Sequence, residues 1–206
     1  MTETAARTVK RLTDPKALRA LAHPIRLTLL GLLRNRGPLT ATTAAELIGE
    51  SSASTSFHLR QLAKYGLVEE AGGGTGRERP WRATTMFTYW PETSDDPKVT
   101  AAAGMLRSVV AEQLFNKLMR WFDAMPDEPL EWQEAAIFGD TTLYVTADEL
   151  AGLREQARAM VDIYLDRQLH AELRPAGARA VSYLHIAHPL VGGPGQQNAG
   201  EESTDA

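Results

Sequence analysis

The sequence contains no cysteine among its 206 residues. Disulfide bonds, thiolate metal sites, a cysteine nucleophile and thiol redox switches are therefore excluded. Long apolar runs are missing as well, so the sequence predicts neither a signal peptide nor a membrane span, and we expect a cytoplasmic protein without membrane contact. With 43% hydrophobic and 23% charged residues, the composition is that of an ordinary globular protein.

Sequence signatures of common catalytic sites are also missing. There is no GxSxG or HExxH motif, and no Lys-Ser or Lys-Thr pair follows the glycine-rich residues 72–76 as a phosphate-binding loop requires. We therefore expect no catalytic residue, no cofactor and no enzymatic activity.

Charge is distributed unevenly along the chain. The formal net charge is −4, yet residues 1–86 carry 13 basic and 7 acidic residues, a net charge of +6, and the remainder carries 9 basic and 19 acidic residues, a net charge of −10. Basic segments can neutralise nucleic-acid phosphates, whereas acidic ones repel them. The pattern favours a nucleic-acid-binding part joined to a part that faces protein, solvent or a small molecule. Drift in the composition of an acidic tail is the alternative explanation.

Helix start signals, each a capping side chain or a proline at the first helical position, predict four helices over residues 12–66. They lie at Asp14-Pro15, at His23-Pro24, at a Thr43-to-Glu46 capping box, and at Ser51 or Ser52. The pattern then changes to a strand at 67–68, a glycine turn at 72–76 and a returning strand at 81–89. This order predicts a winged helix-turn-helix domain over 12–92, preceded by a flexible basic arm over 1–11.

The fourth helix is predicted to enter a DNA groove, because its side chains are small, hydrogen-bonding or basic. Its predicted DNA contacts are Ser52, Ser54, Thr55, Ser56, His58, Arg60, Gln61 and Lys64. His58 could reach a base or only a phosphate, and Phe57 could be a core residue instead.

The predicted wing adds three arginines, Arg77, Arg79 and Arg82. Arg77 and Arg79 lie two apart on a strand, so we expect them to point to one side and to enter a narrow minor groove. A solvated pair that contacts nothing is the alternative.

Three stretches together resemble the ArsR-type winged-helix repressors: LRALAHPIRLTLL at 18–30, AEL at 45–47 and STSFHLRQLAKYGLV at 54–68. The resemblance covers about residues 12–86. It implies a cytoplasmic, usually homodimeric transcriptional regulator, with Ser54, Thr55, Ser56, His58 and Arg60 on the recognition helix and residues 72–82 in the wing. It also implies release of DNA when a metal or another effector binds.

The sequence departs from the metal-sensing members of that family. Their thiolate sites need cysteine, and the histidines at 23, 58, 170, 185 and 188 form no obvious replacement, since His185 and His188 would lie on opposite faces of a strand. We therefore expect no metal site. The region beyond residue 97 is also longer than in the small metal sensors, so their effector rules do not transfer to this chain. An unidentified small-molecule effector stays an open alternative.

The C-terminal part is predicted to be a helix-strand-helix-strand region over 98–190 for dimerisation and effector binding, followed by a disordered acidic tail over 191–206. The elements are a helix over 98–124, a strand or hairpin over 136–145, a helix from Thr146 to about His170, and a strand over 180–188. The fold class is therefore α+β, mainly α. Most aromatic residues here are expected in a core rather than in a ligand pocket: Trp121, Trp132, Phe138, Tyr144, Tyr164 and Tyr183.

The long helix over 98–124 has apolar residues at three- and four-residue steps, a pattern typical of a helix that packs along one face. This stripe is wide enough to pair with a second copy. Its predicted dimerisation residues are Leu106, Val110, Leu114, Leu118 and Trp121.

The sequence thus predicts a sequence-specific regulator, a repressor that binds an inverted repeat in double-stranded DNA as a homodimer. A winged-helix protein-interaction module without specific DNA binding is the alternative. The wing arginines and the serine-rich helix favour DNA, since the core of a protein interface is richer in aromatic residues and poorer in charge.

Overall fold

A computed structural model describes residues 9–72, 79–91 and 93–191. Within these ranges the chain is mainly helical with short strands, which confirms the α+β class. The helices are α1 (Pro15–Leu21), α2 (Pro24–Arg36), α3 (Ala41–Ile48), α4 (Ser52–Lys64), α5 (Pro97–Ala124), α6 (Leu130–Ala135) and α7 (Ala147–Leu169), and the strands are β1 (Val9–Arg11), β2 (Val68–Glu70), β3 (Trp81–Ala83) and β4 (Phe87–Tyr89). No helix in this part of the chain has the length and apolar character needed to cross a membrane.

Side-chain caps set the starts of most helices. Asp14 accepts hydrogen bonds from the first backbone N–H groups of α1, and Ser51 and Thr146 do the same for α4 and α7, as the sequence predicts. The predicted capping box at Thr43 is wrong. Thr40 caps α3 instead, its hydroxyl accepting from the Thr43 N–H at 3.1 Å, so the helix begins three residues earlier.

One apolar core joins the helices α1, α2, α4 and the first half of α5. Its members have almost no solvent exposure, and they come from the predicted winged domain and from α5: Leu18, Leu21, Leu29, Leu30, Leu33, Ala44, Leu59, Leu62, Leu67, Val68, Val99, Ala102, Ala103 and Leu106. The chain divides into the compact units Met1–Ile137 and Phe138–Ala206. The polar segment at 93–97 is therefore not a packing boundary, because α5 begins inside the core of the first unit.

The end of the predicted basic arm is a strand. β1 pairs in parallel with β4, with Lys10 opposite Thr88. The Lys10 ammonium donates hydrogen bonds to the backbone carbonyls of Tyr65 (2.8 Å) and Gly66 (2.6 Å), where α4 ends. The prediction of a flexible arm is thus wrong for residues 9–11, and residues 1–8 lie outside the described ranges.

A glycine is required beneath that lysine. Gly66 adopts a φ of 62°, which strains any other residue, and a Cβ there would lie 2.8 Å from Lys10 Nζ. The close approach of the ammonium to the end of α4 therefore depends on the absence of a side chain at this turn.

The predicted returning strand over 81–89 is two strands. β3 pairs antiparallel with β2, whereas β4 pairs with β1, and the chain changes partner between them. The Thr84 hydroxyl at this break donates to the Gly66 carbonyl at 2.8 Å. Arg34 holds the same segment to α2, donating from Nε to the Thr85 carbonyl and from Nη2 to the Thr88 hydroxyl. Burial lowers the pKa of Arg34 to about 10.

The second unit contains α7 but neither predicted strand. Residues 136–145 and 180–188 are irregular and exposed, so the predictions of strands there are wrong. β-branched and aromatic residues favour a strand only when a neighbouring strand accepts its hydrogen bonds, and neither segment has one in the described structure. The prediction of an aromatic core is also wrong for Phe138, Tyr144, Tyr164 and Tyr183, which are exposed.

The Lys10 contact generates a stability prediction. Lys10→Met keeps the length of the side chain but removes both charge-assisted hydrogen bonds, so we expect the free energy of unfolding to fall by about 1 to 3 kcal/mol. Urea denaturation followed by circular dichroism measures this change. Lys16→Met, on the exposed face of α1, is the matched control and should change stability by less than about 0.5 kcal/mol. Equal stability of the two variants would contradict the assigned role of Lys10.

Candidate nucleic-acid interface

α3 and α4 form a helix-turn-helix unit. α3 ends at Gly49, whose φ of 72° reverses the chain, and α4 begins three residues later behind the Ser51 cap. The two helices pack through Ala44 on α3 and Leu59 and Leu62 on α4, which all belong to the core. A tight glycine-containing turn between two packed helices is the arrangement that leaves the second helix with one free face.

The solvent-facing side of α4 carries a continuous row of exposed side chains. Ala53, Phe57, Arg60 and Lys64 recur at steps of three and four residues, and all four are exposed. Polar side chains flank this row: Ser52, Ser54, Ser56 and Gln61 are exposed or half-buried. The structure thus brings six of the eight predicted contact residues of this helix to solvent.

Two predicted contacts point the other way. Thr55 has no exposed surface and His58 has 8%, so the expectation that they are exposed is wrong. Both share the inward face with Leu59 and Leu62, a spacing of three, four and seven residues from Thr55 that marks a buried helix face. The helical spacing from Leu59 and Leu62 is the signal in the sequence that marks Thr55 and His58 as buried residues. Neither Thr55 Oγ1 nor His58 Nδ1 has a hydrogen-bond partner within the described structure.

His58 lies against His23 at the start of α2. The two ring centroids are 4.6 Å apart with planes tilted by 41°. His23 also caps α2, since its Nδ1 accepts a hydrogen bond from the Ile25 N–H at 3.2 Å. The contact therefore joins the turn between α1 and α2 to the inward face of α4.

The surroundings of this pair disfavour protonation. Burial lowers the pKa of both histidines, and the Arg26 guanidinium lowers both further, while Glu50 opposes the shift. His58 is additionally affected by the charge that His23 would carry. A doubly protonated pair would place two cations in contact and would remove the acceptor that caps α2.

The wing arginines are held by acidic residues of the opposite strand. Arg82 lies opposite Glu69 in the β2–β3 ladder, with Nη2 2.7 Å from Glu69 Oε1, and Arg79 Nη1 is 2.8 Å from Glu70 Oε2. All four side chains are exposed. The wing prediction for Arg77 falls outside the described residues.

Part of the predicted dimerisation stripe on α5 is already buried within the chain. Leu106 is fully buried within the chain and Val110 packs against the same cluster, so the prediction that Leu106 contacts a second copy is wrong. Gln113 marks the end of this contact, since its amide donates to the Pro24 carbonyl at 2.7 Å. Beyond it, Leu114, Leu118 and Trp121 are half-buried.

Residues 21–71, which contain α2, α3 and α4, match the family model described as a helix-turn-helix domain. Over 60 residues the chain is 48% identical to the HTH-type transcriptional regulator NmtR of Mycobacterium tuberculosis. This part of the chain is a helix-turn-helix domain that is similar to the DNA-binding domain of a transcriptional regulator, in agreement with the resemblance to ArsR-type regulators.

The helix-turn-helix domain is only part of the molecule. The alignment with NmtR covers 29% of this chain and 48% of that protein, so the chain spans about half the length of the relative it matches. A solved structure of a mutant of Lactococcus lactis ZitR aligns with 76% of this chain and 80% of its own, at 17% identity and a TM-score of 0.28, and carries no structural argument.

The histidine contact of the helix-turn-helix domain predicts a pH dependence of stability. Because the folded chain holds both pKa values below that of an unfolded histidine, about 6.5, the unfolded state binds protons first as the pH falls. The stabilisation that the uncharged histidine pair provides is complete above this pH. It is lost as the pH falls through the lowered pKa values of His23 and His58. The free energy of unfolding, measured with urea from pH 8 to pH 5, should therefore decrease below about pH 6.5.

Two variants separate this effect from general acid denaturation. His23→Asn does not titrate but keeps an oxygen that can cap α2, so its stability should decrease less steeply over the same pH range. His188→Asn, at an exposed position, should follow the native curve. An identical pH profile of His23→Asn and the native protein would rule out the histidine pair as the source.

Proposed function

We propose that this protein is a transcriptional repressor that binds an inverted repeat in double-stranded DNA as a homodimer. The observation that carries the proposal is the exposed row of α4, in which Arg60 and Lys64 lie beside hydroxyl and amide groups within the helix-turn-helix domain. We place the protein in the cytoplasm, where it would meet the DNA.

The chemistry of this row suits a major groove about 12 Å wide. Arg60 can donate two hydrogen bonds to the O6 and N7 of a guanine, and Gln61 can make a bidentate contact with adenine. Ser52, Ser56 and Lys64 can donate to phosphates and thereby fix the register of the helix. Ser54, half-buried near the N-terminus of α4, would act at the same end of the helix as Ser52.

The wing would add a contact that is not specific for sequence. An exposed ion pair contributes about 0 to 1 kcal/mol, so DNA phosphates can replace Glu69 and Glu70 as partners of Arg82 and Arg79 at little cost. In the free protein, these glutamates hold the two arginines along the wing strands. Arg77 stays a predicted contact of the wing tip.

Arg60 provides the direct test of DNA recognition. A duplex bound by the native chain is first selected from a random library, and its affinity is measured by fluorescence anisotropy. Arg60→Ala should weaken binding by about 1 to 3 kcal/mol if it reads a guanine, without changing stability, because its side chain is exposed.

The matched control is Arg36→Ala, which removes an exposed arginine from the end of α2 and should leave affinity nearly unchanged. Equal losses in the two variants would indicate a general charge effect and contradict base recognition by α4. Failure to select any duplex would overturn DNA binding itself and favour a protein-interaction module.

The second half of α5 supports self-association. After Gln113 the apolar residues occupy a different face of the helix. Phe115 and Met119 are exposed there, beside half-buried Leu114, Leu118 and Trp121. Burial of this surface against a second copy would stabilise the dimer by about 25 cal/mol for each Å² of apolar surface removed from water. A two-fold dimer would present two α4 helices and would therefore bind an inverted repeat with half-sites about 34–36 Å apart.

Phe115 tests this interface. Its side chain is 59% exposed, so Phe115→Glu should not disturb the core but should place two buried charges in a dimer. Sedimentation equilibrium at micromolar concentration should give a dimer for the native chain and a monomer for this variant. Lys117→Glu, on the same helix, is the control and should remain dimeric. A monomeric native chain would refute the proposed dimer.

Repression rather than activation follows from the family resemblance, and a small-molecule effector is part of the same proposal. A promoter that contains the selected duplex should drive a reporter less strongly when the protein is present. Higher reporter output would assign activation.

A further inference from the structure

The exposed row of α4 contains one large apolar side chain. Phe57 is 51% exposed, and it lies between Ala53 and Arg60 on the solvent face. The inward face of the helix is formed by Thr55, His58, Leu59 and Leu62, so Phe57 is on the opposite side of the helix and cannot reach the core.

The ring is supported from one side. Phe57 contacts His58 edge to face, with ring centroids 5.3 Å apart and an interplanar angle of 74°. His58 is itself held against His23. A phenyl group braced by a buried neighbour keeps a preferred position at little cost in side-chain entropy, which is what a specific contact requires.

We propose that Phe57 is a specificity-determining residue that contacts the C5-methyl group of a thymine in the major groove. The inference rests on the proposed DNA binding and deepens it. The thymine methyl is the apolar group that base pairs present in this groove, and an aromatic ring is among the side chains that can read it.

The neighbours of Phe57 favour DNA over a protein partner as the occupant of this surface. Arg60 and Lys64 continue the same row, and Ser56 is adjacent, so the ring lies among groups that complement phosphates and base edges. A protein interface would surround a central aromatic residue with further apolar side chains rather than cations. Since Arg60 lies one turn away, the thymine should lie close to the base pair that Arg60 contacts.

The test removes the methyl group and the ring separately. Using the full chain and the selected duplex, each thymine of both half-sites is replaced by deoxyuridine in turn, which deletes only the C5-methyl. For the native protein, one position per half-site should lower affinity by about fourfold, the effect of one buried methyl group. The other thymines should show no comparable effect.

In Phe57→Ala the thymine and deoxyuridine duplexes should bind equally at that position, whereas Phe57→Leu, which keeps an apolar side chain, should retain part of the preference. The thermal melting of both variants should match that of the native chain, because the side chain is exposed. The inference is overturned if no deoxyuridine position affects native binding, or if Phe57→Ala retains the preference for thymine. Loss of all duplex binding by the native chain would instead refute the proposed function.

Discussion

The burial of one face of α4 is the constraint on which the rest of the structure depends. Leu59 and Leu62 enter the core together with residues of α1, α2 and α5, and each fully buried leucine contributes about 1.5 to 3 kcal/mol. This burial fixes the rotation of the helix about its axis. The same contacts that stabilise the domain therefore decide that Phe57, Arg60 and Lys64 face outwards, so the core and the candidate interface are two sides of one helix.

Charge counts overstate the number of cations available to DNA. Lys10 binds the carbonyls of Tyr65 and Gly66 just after α4, and half-buried Arg34 donates to the Thr85 carbonyl between β3 and β4. Arg79 and Arg82 are exposed but paired. Part of the positive charge in the first 86 residues thus holds the domain together, so the charge asymmetry of the sequence partly reflects structure.

The two units differ in how far their apolar residues are buried. In the first, apolar residues from distant parts of the chain meet in a single core. In the second, several large apolar side chains near α7 and in the irregular segments around it are exposed, including Ile163, Val181 and Ile186. The Thr146 capping box marks the start of α7, but among residues 9–72, 79–91 and 93–191 the segments on either side of that helix have no strand partner of the kind their composition favours.

The sequence by itself determined the helices and the family resemblance, because caps, prolines and helical periodicity act over a few residues. It identified α1, α2, α4, α5 and α7 nearly to their ends. Of the eight residues predicted to contact DNA on α4, six are exposed or half-buried. The period that Thr55 and His58 share with Leu59 and Leu62 already marks them as inward. Tertiary structure alone decided that Leu106 belongs to its own core, and that residues 9–11 form a strand from which Lys10 reaches the end of α4. Those outcomes depend on contacts between residues far apart in the chain, such as Lys10 with Tyr65, whose existence no local pattern specifies.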